Sequence, residues 1–177
     1  MTEPSDVELV QRFRSGDPEA FETLVRRHQH RLYRLASVWL RDPRQAEDAV
    51  QEIFLRAWRG LAGFRFRAAP FTWLYRTARH VCGEYNRGRR AESLEAEPAD
   101  PADGPERRAD DDEAARRVRQ LVAVLAPRQR EVVMLRIFEE LTVAETARAM
   151  GCRQGTVKAL LHKAIARLRS EGAEGLE

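Results

Sequence analysis

Arg76, His80, Gly83 and Arg87 recur at helical spacing along one side of the stretch from Phe71 to Arg87, with Trp73 close by. Phe71, Leu74, Ala78, Cys82 and Tyr85 fall on the other side, so the stretch reads as an amphipathic helix with a basic outer face. An indole on such a face suits stacking on an unpaired base while the guanidinium groups hold phosphates. Packing of the ring on a neighbouring helix is the plainer alternative for Trp73.

A second constellation lies near the end of the chain. Thr142 and Glu145 have capping-box spacing, Gly151-Cys152 offers a turn, and a second helix carries Val157, Leu161, Ala164 and Leu168 on its inner stripe. This pattern predicts a helix-turn-helix. At a hundred degrees per residue, Gly155, Ala159, His162, Lys163 and Ala166 share the outer face, with Thr156 and Lys158 at its margins. Small residues there let a helix axis approach base edges in the major groove, and the basic ones reach phosphate or guanine. A solvated face on a helical bundle is the competing reading.

The third is acidic. Glu47, Asp48, Gln51 and Glu52 form a patch beside an apolar stripe, and Leu55 adds an apolar contact next to it. Such a patch suits a basic helical partner, although many helices simply turn a face of this kind to water.

No arrangement suited to catalysis accompanies these three. His28, His30, His80 and His162 form no HExxH or other ligand set, and neither a Gly-rich phosphate loop nor a nucleophile elbow is present. The expectation is a protein that is not an enzyme, with no small-molecule substrate, no cofactor and no metal. Cys82 and Cys152 lack CxxC spacing and are expected to be ordinary small apolar residues. The first twenty residues contain no apolar run suited to a signal peptide, and no later stretch is long enough to span a bilayer. A cytoplasmic protein is expected, not a membrane protein.

The elements that must position these residues are all helical. Ser5 to Glu8 reads as a capping box, and Asp17-Pro18 and Asp42-Pro43 as N-caps followed by proline at the first helical position. Phe21, Leu24, Val25, His28, Leu32, Leu35, Ala36 and Trp39 describe one long helix ending near Arg41. The next buries Ala46, Val50, Ile53 and Ala57 and ends around Gly60 to Gly63. A loop, Phe64 to Ala69, leads to the helix opened by Pro70, which is expected to run to about Arg87. Beyond the middle of the chain come helices around Glu113 to Leu125, from Pro127, from Thr142, and from about Gln154 to Arg169.

Charge divides the chain. From Ala91 to Asp112 there are nine acidic and two basic residues, net −7; against a whole-chain charge of +3 the remainder carries +10. That segment is Ala, Asp, Glu and Pro with almost no bulky apolar residue, and reads as a flexible acidic linker. The fold class is therefore all-α: two small helical domains, residues 1–90 and 113–177, joined by the linker 91–112, with the helix-turn-helix in the second.

Two quoted stretches make a family resemblance specific. Leu125-APRQREVVMLRIFEELTVAETARAMGCRQGTVKALLHKAIARL-Arg169 resembles the promoter-binding domain four of sigma-70-type factors, particularly the extracytoplasmic-function subgroup, in its order Pro-x-Gln-Arg-Glu, Ala-Glu-x-Ala, Gly-Thr-Val-Lys. Pro43-RQAEDAVQEIFLRAW-Arg59 resembles the same family's domain two. The resemblance implies a sigma factor that brings core RNA polymerase to promoter DNA and helps open it, with an anti-sigma factor as a further partner. It implies that Asp48, Gln51, Glu52 and Leu55 dock on a coiled coil of the largest polymerase subunit. For the minus-ten element it implies Phe64, Arg65 and Arg67 within a base-holding loop, Phe64 to Ala69, and Arg76, Arg79, His80 and Arg87 on the helix that follows, to which Trp73 is added from its place beside the basic face. For the minus-thirty-five element it implies Arg153, Gln154, Thr156, Lys158, Ala159, His162 and Lys163. The acidic linker resembles the family's connector near the RNA path. Departures accompany these matches. Arg153 stands where a serine is frequent, Ala159-Leu160 where a serine-arginine pair is usual, His80 in place of asparagine, Glu84 in place of aspartate, and Phe66 and Arg67 where small or acidic residues are common.

Overall fold

The computed structural model describes residues 3–40, 42–95 and 120–174, and all regular structure among them is helical. In order these are α1 (Asp6–Arg14), α2 (Pro18–Trp39), α3 (Pro43–Leu61), α4 (Pro70–Glu95), α5 (Pro127–Val133) running into a wide π turn (Met134–Phe138), α6 (Val143–Met150) and α7 (Gln154–Glu174).

The starts of these helices follow from side-chain chemistry. The Ser5 amide donates to the Glu8 carboxylate at 2.7 Å while the Glu8 amide donates to the Ser5 hydroxyl at 3.3 Å, a reciprocal box that satisfies two otherwise orphaned donors. Asp17 accepts from the Glu19 amide and Asp42 from the Arg44 amide, each just ahead of a proline that needs no amide partner.

Helices α1 to α4 enclose the first core, with Leu9, Leu24, Leu32, Leu35, Ile53, Leu61, Leu74 and Tyr75 fully buried. Each such aliphatic side chain contributes roughly 1.5–3 kcal/mol relative to exposure. A polar clasp docks α1: Asp6 accepts from Arg27 and pairs with the buried His28 ring, both at 2.7 Å, and His28 in turn stacks on Phe71. The second unit buries Val122, Leu125, Val132 to Leu135, Met150, Val157 and Ala164.

Several boundaries differ from expectation. Helix α4 runs to Glu95 instead of stopping near Arg87, because Arg89 to Glu95 are mostly good helix formers and Gly88 weakens a helix by only about 1 kcal/mol. The first five residues assigned to the acidic linker are therefore helical. Helix α7 likewise extends to Glu174, and α2 closes at Trp39, where the Leu40 amide reaches the Ala36 carbonyl at 2.7 Å. The rest of the linker and residues 113–119 of the expected helix that follows it lie outside the described residues; residues 120–123 are its helical end.

The two units touch. Helix α4 packs beside α6, and the buried hydroxyl of Tyr75 donates to Glu131 of α5 at 2.6 Å.

Candidate polymerase and nucleic-acid interfaces

On α3 the apolar stripe faces inward, with Ala46, Ala49, Ile53 and Ala57 buried, and this leaves Glu47, Asp48 and Gln51 in water. Leu55 is 54% exposed, too much for a core residue, and lies on the same side. Glu52 differs from its neighbours: Arg56 donates to it at 2.6 Å and to Glu84 of α4 at 2.7 Å, so it ties α3 to α4. Hydrogen bonds to Glu84 and Glu52 raise the Arg56 pKa, and the Arg56 contact lowers that of Glu84. Trp58, 47% exposed and one turn beyond Leu55, was not anticipated as part of this patch. Its spacing of three from Leu55 is the signal that could have found it. One side of its ring rests on Phe13 and Phe21, at centroid distances of 4.8 and 5.0 Å.

The loop after α3 is built on aromatic rings. Phe64 is buried, with Phe66 at 4.9 Å and Trp73 at 6.0 Å, so in this conformation its ring shapes the loop from beneath. Phe66 has φ of 51°, in the left-handed region that side-chain-bearing residues rarely enter. Arg14 of α1 stabilises that conformation, donating to the Phe64 carbonyl at 3.2 Å and lying 5.7 Å from the Phe66 ring centroid. Arg65 and Arg67 point to solvent.

Along α4, Arg76, Arg79, His80 and Arg87 are exposed and, with Gly83, line a shallow recess of about 230 Å³. Trp73 is half-buried against Gly60, and His80 pairs with Glu84 at 3.0 Å. Two of the arginines also reach the second unit: Arg79 lies 3.3 Å from Glu131, and Arg76 donates to the Arg148 carbonyl. Burial, together with the charge of Glu131 and the hydrogen bond to it, pushes the Tyr75 phenol far above its ordinary pKa, so it stays a donor. Burial pushes the Cys82 thiol up to about 12, which makes it an inert apolar side chain.

The helix-turn-helix is assembled by local rules. Thr142 and Glu145 form a reciprocal capping box at the start of α6. Gly151 adopts φ of 63°, and the Cys152 amide returns to the Ala147 carbonyl at 3.0 Å, closing α6 and turning the chain into α7. Val157 and Ala164 are fully buried, which fixes the rotation of α7. Arg153, Gln154, Gly155, Thr156, Lys158, Ala159, His162 and Lys163 are all exposed. The Arg153 carbonyl accepts from the Thr156 and Val157 amides, which closes the first turn of this helix.

No described helix is long and apolar enough to cross a membrane. Among the described residues no group of His, Cys, Asp and Glu is gathered in a way that could hold a metal ion.

Comparison with known proteins matches residues 24–92 to the Sigma-70 region 2 family and residues 115–168 to the Sigma-70, region 4 family. The RNA polymerase sigma-H factor of Pseudomonas aeruginosa is 35% identical, over 93% of this chain and 92% of its own. ECF RNA polymerase sigma factor SigM of Mycobacterium tuberculosis is 36% identical over 94% and 84%, and the ECF RNA polymerase sigma-E factor of Escherichia coli 32% over 90% of each. Among solved structures, that of CnrH in complex with the cytosolic domain of CnrY superposes with a TM-score of 0.75 at 25% identity, covering 97% of this chain and 99% of that one. The sigma factor RpoE of Bartonella quintana, solved with the anti-sigma factor NepR, has the same fold, with a TM-score of 0.65 at 22% identity over 85% and 94% of the two chains. With both regions in order and relatives matched over nearly their whole length, the chain belongs to the sigma-70 family, as a sigma factor of the ECF group.

Proposed function

We propose that three surfaces of this sigma factor divide the work of initiation on one promoter. A factor of this family directs RNA polymerase to specific promoters and is not itself an enzyme. In the proposal, residues 1–90 form the unit that docks on core polymerase through Asp48, Gln51, Leu55 and the rim of Trp58. The basic face of α4 and the loop above it hold the opened strand at the minus-ten element. Residues 113–177 form the unit that reads the minus-thirty-five element with the outer face of α7, the acidic segment connecting the two. The work takes place in the cytoplasm, and an anti-sigma factor completes the set of partners.

The observation that carries this reading is the outer face of α7. Its base-reading and phosphate-reading candidates are all exposed while Val157 and Ala164 pin the opposite side, so small and basic residues are presented together on a rigid helix. Within the minus-ten group, Arg76, Arg79, His80 and Arg87 supply charge for phosphates. The Trp73 indole has to leave Gly60 before it can stack fully on a base. Base stacking on an aromatic is worth roughly 1–3 kcal/mol, comparable with the cost of unstacking a base, so polymerase binding supplies the remainder.

Gel shifts on promoter fragments with and without core polymerase test the proposal. A specific shift that requires both proteins is expected. A specific shift by this chain alone, unchanged by polymerase, would replace the proposal with a free-standing helix-turn-helix regulator.

A further inference from the structure

Arg76, Arg79 and Arg87 can only donate hydrogen bonds to DNA. The imidazole of His80, which lines the same recess of α4, donates or accepts according to which ring nitrogen carries the proton. Its neighbours fix that choice. His80 Nε2 lies 3.0 Å from Glu84 Oε1, one turn along the helix. The other oxygen of Glu84, Oε2, accepts from Arg56 of α3 at 2.7 Å, and Arg56 is itself fixed by Glu52, which accepts from its Nε at 2.6 Å. The hydrogen bond from Arg56 holds the Glu84 carboxyl below its ordinary pKa, so it is ionised at neutral pH and can only accept. Nε2 therefore carries a proton toward Glu84, and in the neutral ring Nδ1 is a bare acceptor. Exposed ion pairs of this kind add little stability. What a carboxylate does supply to an imidazole is a fixed tautomer and a fixed ring orientation.

The asparagine that His80 replaces would offer donor and acceptor together from one amide, whereas the imidazole offers DNA one at a time. We propose that Glu84, braced by Arg56, is a positioning residue that keeps the Nε2–H of His80 turned to the protein and Nδ1 turned to the promoter, so that His80 selects a base by its exocyclic amine. On the major-groove edge cytosine presents such a donor, N4, and adenine another, N6, while guanine presents only the acceptors N7 and O6. Beyond the charge it lends to phosphates, His80 is then a base reader. The bridge from α3 to α4 sets the polarity of its reading.

The inference rests on the promoter reading above, and Glu84→Gln tests it. The new amide has to give its oxygen to Arg56, which only donates, so its NH2 faces His80; Nε2 must then accept, and the proton moves to Nδ1. Nitrogen-15 NMR of the full chain at about pH 8, above the ordinary imidazole range, reports the tautomer of His80. Holoenzyme reconstituted with core polymerase is then offered promoter fragments carrying each base pair in turn at every minus-ten position. Wild type is expected to hold the Nε2–H tautomer and to prefer cytosine to guanine at one position. Glu84→Gln is expected to hold Nδ1–H and to reverse that preference, changing the ratio of transcripts about tenfold. His80→Ala leaves the bridge between Arg56 and Glu84 in place and should by itself abolish the preference. Glu84→Gln added to it should restore none. An unchanged tautomer in Glu84→Gln, or a loss shared equally by all four bases, would overturn the proposal, as would a reversal that survives in the double variant. Failure of the promoter reading shows separately, as no transcript from the wild type on any fragment, while the tautomer is still read on the free chain.

Discussion

Gly60 of α3 lies so close to the Trp73 indole that a Cβ built on it would come within 2.8 Å of the ring. Real Cβ atoms do not approach so near, so the glycine is required by the ring and not by its own backbone conformation. Gly60→Ala is therefore expected to lower stability by about 1 kcal/mol, crowding outweighing the gain in helix propensity. In a Trp73→Phe background the same substitution should be neutral or stabilising. A double-mutant cycle by urea unfolding measures the coupling, and its absence would mean that the indole already sits elsewhere in solution.

Asp6 carries a pH signature. Burial alone would raise its pKa, but the hydrogen bonds and charges of His28 and Arg27 outweigh burial and hold it below the ordinary aspartate value. A carboxylate lowered in the folded state stabilises the fold where the unfolded chain is ionised, and this contribution is lost as pH falls through the folded value. Asp6→Asn should be less stable than wild type by about 1–3 kcal/mol above about pH 5, with the gap closing below about pH 4. Urea titrations across that range check it; a gap independent of pH would assign the effect to packing.

The helical architecture was legible because its signals are local. Ser5 with Glu8, Asp17-Pro18, Asp42-Pro43 and Thr142 with Glu145 start helices through bonds made within a few residues, and the start of each is where those residues put it. The exposure of the α7 outer face followed from its period against Val157 and Ala164. The end of α4 was misread because an acidic composition was taken as disorder, although residues 91–95 are compatible with a helix. Glu131, Glu139 and Tyr75 drew no attention because their partners lie 56 to 108 positions away, beyond the reach of periodicity. The resemblance placed Phe64 in a base-holding loop, and only the fold shows Phe66 and Trp73 packed around its ring.

Lys158 and Lys163 project from α7 as exposed cations. If each neutralises a phosphate, Lys158→Ala and Lys163→Ala should each weaken upstream binding across sequences and reduce the salt slope of log K by about 1. Promoter binding by the reconstituted holoenzyme at several salt concentrations measures the slope. A loss confined to one base position would instead make that lysine a base reader.

The outer face of α3 should separate binding from folding. Leu55 is 54% exposed and Asp48 lies in water, so Leu55→Ser and Asp48→Arg should leave unfolding curves within about 0.5 kcal/mol of wild type. Each should weaken association with core polymerase about tenfold or more, equal to about 1.4 kcal/mol. Retained affinity in both variants, measured by biolayer interferometry, would move the docking surface elsewhere.

In vitro transcription with purified core RNA polymerase, with and without this protein, on a library of promoter fragments is the most direct test of the account. Discrete transcripts that appear only when the protein is present, and that fade with Asp48→Arg, are the expected result. If no fragment responds and the protein does not associate with core enzyme, the proposed division of work among α3, α4 and α7 is wrong.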